Sequence, residues 1–399
     1  MLAHALRRCL CYVAGCAALL AAAGPAVADT TPGATPVEIH VVFSLTGFGA
    51  FLGAGTQQAL TAAETAINKS GGIAGHPIKM VLHDDGSAPQ QDVQLVNQLA
   101  TQHVPVIIGP GLVASCGAMG PLIASGGPVD ICFSTGVHTD PGGYLFSMGV
   151  PSLDQLTAAV RYMRGRGWKR YAVILPNDAT GQDAGHNIDT VFGLPENKDL
   201  TIVERSSFAA ADTSVDAQVA RIRGSGAQVV IAWATGTPFG TVLHSMQNEG
   251  LSLPVLGSPG NVTYAAANAY GPIMPPETFF PSFTGVVPPE TIDNPDVRRE
   301  VVALRAAFGN VLPDIGAVPW DAGKIVVAAY KKYGLGLTGT QMREYLNGLR
   351  YHGAFGDFDF VRYPQRGLST SSAVMVRYDR DKKSFVPVSK MGGEPLQSR

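Results

Sequence analysis

Long basic runs are absent from this 399-residue chain, and no pair of histidines stands at metal-ligand spacing. The first absence argues against partners such as nucleic acid or anionic membrane surfaces, which call for clustered Lys and Arg. The second, together with five cysteines at spacings unlike a zinc site, argues against a structural metal centre. There is no G-x-S-x-G elbow, so the nucleophile turn of an α/β-hydrolase is missing. Beyond the first 28 residues no segment stays apolar for the roughly 20 residues that a membrane span requires.

Those first 28 residues have the make-up of an export signal. Arg7 and Arg8 precede an apolar run over Cys9–Ala23, and Ala26-Val27-Ala28 is a small-x-small cleavage site that would leave Asp29 first. A second reading takes Val13-Ala14-Gly15-Cys16 as a lipobox, with a lipidated Cys16 as the new terminus. Loss of Arg7 and Arg8 reduces 29 basic residues to 27 against 31 acidic ones, a net charge of −4. Export also separates the chain from cytoplasmic ATP and nicotinamide cofactors, so no cofactor is expected. Cys116 and Cys132 are the only cysteines outside the leader. In an oxidising compartment they form either one disulfide or two buried thiols.

What remains, about 370 residues, suits two domains. Between Val37 and Gly111, three apolar runs (Ile39–Leu45, Ile78–Leu82 and Val104–Ile108) alternate with stretches of helical period. That is β-α-β-α-β, the pattern of a parallel sheet with helices on its faces. Ligands of such sheets bind outside the carboxyl ends of the strands. Attention therefore falls on Ser44–Gly53, Asp84–Pro89 and Pro110–Cys116. The α/β rhythm resumes near Pro151, with strands expected at Tyr171–Leu175, Thr201–Ser206, Val229–Trp233 and Pro254–Leu256. Phe279–Val287 reads as a further strand. Helices follow at Val297–Phe308, Trp320–Tyr333 and Gln341–Leu349, then tail strands at Gly356–Val361 and Ala373–Tyr378.

Several short pieces then fall in a telling order. They are Phe43-Ser44-Leu45-Thr46-Gly47, Ala63–Asn68 running into Gly71-Gly72-Ile73-Ala74-Gly75, and Asp84-Asp85 before Pro89. Ile107-Ile108-Gly109-Pro110, Asn177-Asp178-Ala179-Thr180-Gly181, Trp320-Asp321-Ala322 and Gly356-Asp357-Phe358-Asp359 continue the series. In order and spacing the chain resembles the type I periplasmic solute-binding proteins of ABC transporters, specifically the leucine/isoleucine/valine-binding protein family. The resemblance implies an α/β protein of two doubly wound parallel-sheet lobes joined by three crossover strands. It also implies a small-molecule ligand in the cleft, closure about a hinge, a periplasmic location, a membrane permease as partner, a monomer, and no enzymatic activity. The crossings would fall near Phe146–Gly149, Phe279–Phe283 and Phe355–Asp357. Lobe one would hold residues 37–148 and 283–355, and lobe two residues 149–282 and 356–390.

By the same resemblance, hydroxyls and backbone N–H groups of lobe one hold the ligand's carboxylate, a role that suits helix N-termini. Ser115 is one candidate, with helix capping as its plain alternative. Ser134, Thr135 and the Gly136 backbone are the others, and His138 is a possible extra donor. Phe48 and Phe51 would pack on the ligand's side chain or only between lobes. Thr180 and Thr237 stand where the amino-acid binders carry tyrosines. Ser258 and Pro259 stand where those binders carry a Glu that pairs with the ligand's ammonium. A buried ammonium without a carboxylate partner is costly. The expected solute is thus a small organic acid or amide without an α-ammonium, unless Asp178 or Asp183 takes the Glu's place.

Three rival readings stay open at this point. Gly47, Gly49 and Gly53 follow a strand in a spacing close to a dinucleotide-binding fingerprint, which would suit an oxidoreductase. His83 beside Asp84-Asp85 could do hydrolytic chemistry, although N-capping of the helix that begins near Pro89 is the plainer role. Ligand-sensing receptors share the two-lobed architecture.

Overall fold

The computed structural model describes residues 30–31, 33–309 and 314–396. The expected leader, with Cys16 and the cleavage site after Ala28, lies outside them. Two sheets dominate. The first is all parallel: β1 (Val37–Phe43), β2 (Ile78–Asp84), β3 (Val106–Ile108), β4 (Val129–Cys132) and β5 (Leu145–Ser147), ordered β2-β1-β3-β4-β5. Helices α1 (Ala50–Lys69), α2 (Pro89–Thr101) and α3 (Val113–Ile123) make its crossovers. β3 and β4 are buried throughout, and β1 over its last five residues, which is why these strands read as unbroken apolar runs.

The chain then enters a second sheet through α4 (Ser152–Gly165). Its parallel strands are β6 (Arg170–Pro176), β7 (Thr201–Phe208), β8 (Val229–Ala232), β9 (Val255–Gly257) and β10 (Thr278–Ser282). Helices α5 (Ala179–Phe192), α6 (Asp216–Gly224), α7 (Thr237–Asn248) and α8 (Tyr264–Tyr270) join them. Next come α9 (Pro295–Ala307), α10 (Pro319–Tyr333) and α11 (Gly339–Asn347), of which α10 packs on α1 and α11 on β4. A hairpin of β11 (Arg350–His352) and β12 (Asp357–Asp359) follows. The tail strands β13 (Val374–Asp379) and β14 (Ser384–Pro387) add to the second sheet antiparallel, giving β14-β13-β10-β9-β8-β6-β7.

The α/β fold expected from the periodicity is present. Both sheets reverse their winding once, between β1 and β3 and between β6 and β8. Such switch points leave a crevice at the carboxyl ends of the strands. Gly53 lets α1 lie against the end of β1, since a Cβ there would come within 2.2 Å of the Ser44 carbonyl oxygen. One apolar core runs from the first sheet through the crossings into the second, and another lies between the second sheet, α4 and α5 around Leu156, Tyr171 and Trp233.

The passages between the sheets differ in detail from the sequence reading. The apolar stretch Phe279–Val287 is strand only to Ser282. There Phe283 turns to stack on Phe355 with ring centroids 3.8 Å apart, and Thr284–Val286 forms a 3-10 turn. The expected third crossing, Phe355–Asp357, sits in the bend of the β11–β12 hairpin. Residues 360–373 then lead to β13, and Gln365 on the way accepts the Ser147 N–H through its carbonyl at 2.7 Å.

Asp84 and Asp85 do not cap α2, whose N-cap is Ala88 with no side-chain bond. Asp84 instead accepts the N–H groups of Leu45 at 2.9 Å, Thr46 at 3.2 Å and Gly86 at 2.9 Å, and Asp85 accepts the Ser44 hydroxyl and the Ser87 N–H. With Gly49 N–H donated to Ser87 Oγ, the glycine loop after β1 has few free donors for a phosphate, which weakens the dinucleotide reading.

Beneath this turn Asp92 on α2, Ser115 on α3 and Asp130 on β4 are fully buried. Both Asp92 oxygens, both Asp130 oxygens and Ser115 Oγ are shut from solvent without a protein partner. Burial, with Asp85 close by, pushes the Asp92 carboxyl up to about 7 against the influence of Ser115. In the unfolded chain that proton leaves near pH 4. The stability it carries is complete below pH 4 and is lost as pH rises through 7. Asp85, Asp130 and Asp321 shift the same way through burial. Stability is therefore expected to fall from about pH 4.5 to 7.5. Asp92→Asn, neutral at every pH, should remove on the order of 3 kcal/mol of that fall in urea titrations. An unchanged slope in the variant would rule Asp92 out as its source.

Candidate functional site

The two switch points face one another across a cavity of about 80 Å³. That is room for roughly five to eight water-sized groups, so any occupant is small. The bodies meet in front of it. Ile315 N–H donates to the Val262 carbonyl at 2.9 Å, Tyr264 N–H donates to Asp314 at 3.0 Å, and Phe51 packs edge-on against Tyr270 at 5.5 Å.

From the first sheet come Phe43 at the end of β1, Gly111 to Val113 at the start of α3, and Phe133, Ser134 and Thr135 after β4. The second sheet contributes Gln155, Thr180, Trp233, Thr235 and Ser258. The crossings supply Met148, Ser282, Phe283 and Phe355. Among the described residues none that lines the cavity is ionisable, and no acceptor meets the Thr135 N–H. That group and the first turn of α3 make the first-sheet side rich in donors. Gln155 Oε1 and Ser282 Oγ line the same cavity, closed to solvent and with no protein partner. Buried polar atoms left unpaired are rare and point to something that pairs them.

Second-rank contacts hold these residues in place. Cys116 and Cys132 form a disulfide between α3 and β4, and Cys132 Sγ accepts the Ser134 N–H at 3.1 Å. Arg366 donates to the carbonyls of Val137 at 2.5 Å and Thr135 at 2.8 Å. Burial lowers its guanidinium to about 10, opposed by Asp183 and Asp154, so it stays charged at neutral pH. Asp321 accepts the N–H groups of Ala354 and Phe355 at 3.1 and 2.9 Å and so fixes the Phe355 ring at the cavity.

Of the residues expected at the ligand, Ser134, Thr135, Thr180 and Ser258 line the cavity. The others stand outside its lining. Ser115 is turned inward beside Asp92. Gly136 is wedged against Asp183 and Val113, where a Cβ would meet Asp183 Oδ2 at 2.6 Å. Phe48 is 40% exposed, and its carbonyl abuts Gly236, where positive φ and a 2.3 Å approach demand glycine. Phe51 belongs to the interlobe contact on Tyr270. Thr237 is exposed at the start of α7. His138 is exposed and stands 3.3 Å from Asp183.

Neither acid proposed to replace the missing Glu reaches the cavity. Asp178 caps α5 by accepting the Gly181 N–H at 3.0 Å. Asp183 accepts from Ser152 Oγ at 2.5 Å and Asn187 Nδ2 at 3.0 Å, and burial raises its carboxyl. Lining residues that the sequence did not mark as ligand contacts are Phe43, Phe133, Gln155, Trp233, Thr235, Phe283 and Phe355. Trp233 and Thr235 directly follow β8, so the carboxyl-end rule could have found them.

Two α/β bodies with facing switch points meet at an uncharged cleft. The chain belongs to the periplasmic binding protein family, whose profile matches residues 36–383. A Leu/Ile/Val-binding protein homologue of Brucella melitensis is 26% identical over 309 residues, 73% of this chain and 76% of that protein. The branched-chain amino acid transporter substrate-binding protein LivJ of Streptococcus pneumoniae, solved with isoleucine, superposes with a TM-score of 0.70 at 18% identity, covering 88% of this chain and all of that one. A fatty acid ABC transporter substrate-binding protein of Thermomonospora curvata superposes at 0.72 with 18% identity, covering 94% of this chain and 96% of that one. These two superpositions show a shared fold.

Proposed function

We propose that this chain is the exported substrate-binding protein of an ABC importer. It captures a small organic acid or amide without an α-ammonium and presents it to a membrane permease. The observation that carries this reading is a cleft with donors on one wall and, among the described residues, no ionisable side chain in its lining. An anion finds N–H and hydroxyl donors there. An ammonium finds no carboxylate, and its burial would be unfavourable. Relatives that handle isoleucine and fatty acid share an apolar body and a carboxylate in their solutes, which suits the aromatic walls. Ser134 and Thr135 would hold the carboxylate, while Thr180 and Ser258 face the far end.

In this reading residues 1–28 are a cleaved leader and the mature protein works as a periplasmic monomer. Residues 37–148 with 283–355, and 149–282 with 356–390, move as two lobes, with the β11–β12 hairpin at their boundary. No catalytic step is required, and the transporter rather than this chain would use ATP.

A thermal-shift screen on unfolded and refolded protein tests it, with branched-chain amino acids, aromatic and aliphatic carboxylates, amides and sugars. Ligand at about 100 times its Kd adds roughly 2.7 kcal/mol to the folded state. The expected hits are carboxylates or amides lacking an α-ammonium. Tight leucine binding with no response to the other acids would overturn the assignment.

A further inference from the structure

The second-sheet wall of the cavity has a hydrogen-bond direction that can be worked out proton by proton. Ser258 Oγ lies 2.8 Å from the Ala234 carbonyl oxygen. A carbonyl only accepts, so the single hydroxyl proton of Ser258 must lie in that contact. Asn261 is fully buried behind it. The Asn261 amide is oriented by Gly236, whose N–H donates to Oδ1 at 2.9 Å, and its Nδ2 then donates to Ala234 O at 2.7 Å and reaches Ser258 Oγ at 3.1 Å. Thr235 Oγ1 lies 2.8 Å from the same Ser258 Oγ. With the Ser258 proton committed to Ala234, the proton in this last contact must come from Thr235.

Thr235 lines the cavity, and its only proton is taken up by Ser258. What it offers an occupant is a lone pair. Gln155 lines the same cavity, but no hydrogen bond among the described residues orients its amide, so the acceptor is Thr235. The far wall thus accepts, whereas the first-sheet wall donates. Neither Thr235 nor Gln155 is charged, so nothing here compensates a cation.

We propose that the solute carries a neutral hydrogen-bond donor, a hydroxyl or an amide N–H, at the end that meets Thr235, remote from its carboxylate. The substrate class is a short hydroxylated or amidated organic acid with an apolar middle. This rests on the organic-acid reading of the cleft and adds the chemistry of the solute's other end. Thr235 is the residue that selects it, through the proton that Ser258 and Ala234 draw away.

The test is titration calorimetry on refolded protein with two matched sets of probes. One set is propionate, 3-hydroxypropionate and 3-methoxypropionate. The other is butyrate with the same two substituents on its terminal carbon. A methoxy group can accept but not donate, and it differs from hydroxyl by one methyl. In the unmodified protein at least one hydroxy acid should bind about tenfold or more tightly than its methyl ether and its parent acid, because an acceptor left facing an acceptor is penalised. Thr235→Val keeps the shape and should bring the hydroxy and methoxy affinities within about threefold. Thr235→Ser keeps the hydroxyl and should restore the discrimination. The inference is overturned if methyl ethers bind as well as hydroxy acids, or if the preference survives in the Val variant. Binding of the parent acids without gain from the hydroxyl sinks this inference alone. Silence from all six probes sinks the organic-acid reading and this inference with it.

Discussion

Replacing Arg366 with Met is expected to destabilise the protein by about 3 kcal/mol, the scale for losing two buried hydrogen bonds from a charged donor. The loss has two sources. Two forked donations, to Thr135 O and Val137 O, disappear together, and those carbonyls belong to the loop that brings Ser134 and Thr135 to the cavity. Asp183 and Asp154 also lose the cation they face. Asp154 is tied to the same segment by accepting the Thr370 N–H at 2.9 Å, so the damage should spread along residues 365–370. Lys at 366 retains charge but not the planar fork, and should recover less than half of the loss. Urea unfolding of the three proteins measures this directly. Amide exchange at Ser134–Gly136 should accelerate in the Met variant, a local effect that general softening would not confine to that loop. A cost below about 1 kcal/mol would show that the fork is incidental.

Reduction of the Cys116–Cys132 bridge should have an effect of similar size. The two residues are 16 apart, and closing a loop of about that length restricts the unfolded chain by roughly 3 kcal/mol. Both cysteines are buried, so the bond will resist mild reductant in the native state. The clean comparison is therefore Cys116→Ala with Cys132→Ala against the oxidised protein in urea. The paired variant should unfold at lower urea with little change in slope, and its Ser134 loop should loosen because Cys132 Sγ no longer receives the Ser134 N–H. Equal midpoints would mean that the bridge adds no net stability.

The architecture was largely legible before any coordinates. Apolar runs bounded by Gly and Asp marked β1, β2 and β3, and their alternation with helical stretches indicated a parallel sheet. Errors came where a side chain left the local pattern for a distant partner. Phe283 ended the expected strand early to stack on Phe355, and Asp85 ignored its helix to serve Ser44 and Ser87. Ser115 looked like a donor at a helix start, yet the helix turned it inward to Asp92. Asp178 and Asp183 were equivalent acids in the sequence. Only the fold separated a cap of α5 from a buried partner of Ser152 and Asn187.

By itself the sequence determined the fold class and the family, because period, turn chemistry and residue identity are local properties. Tertiary structure alone decided which side chains share the cavity. Phe43, Ser134, Thr235, Phe283 and Phe355 come from positions up to about 300 residues apart, and no local pattern relates them. It also decided which way the Thr235 proton points. A hydroxyl is both donor and acceptor until its neighbours are placed, and here the Ala234 carbonyl and the buried Asn261 amide remove the choice.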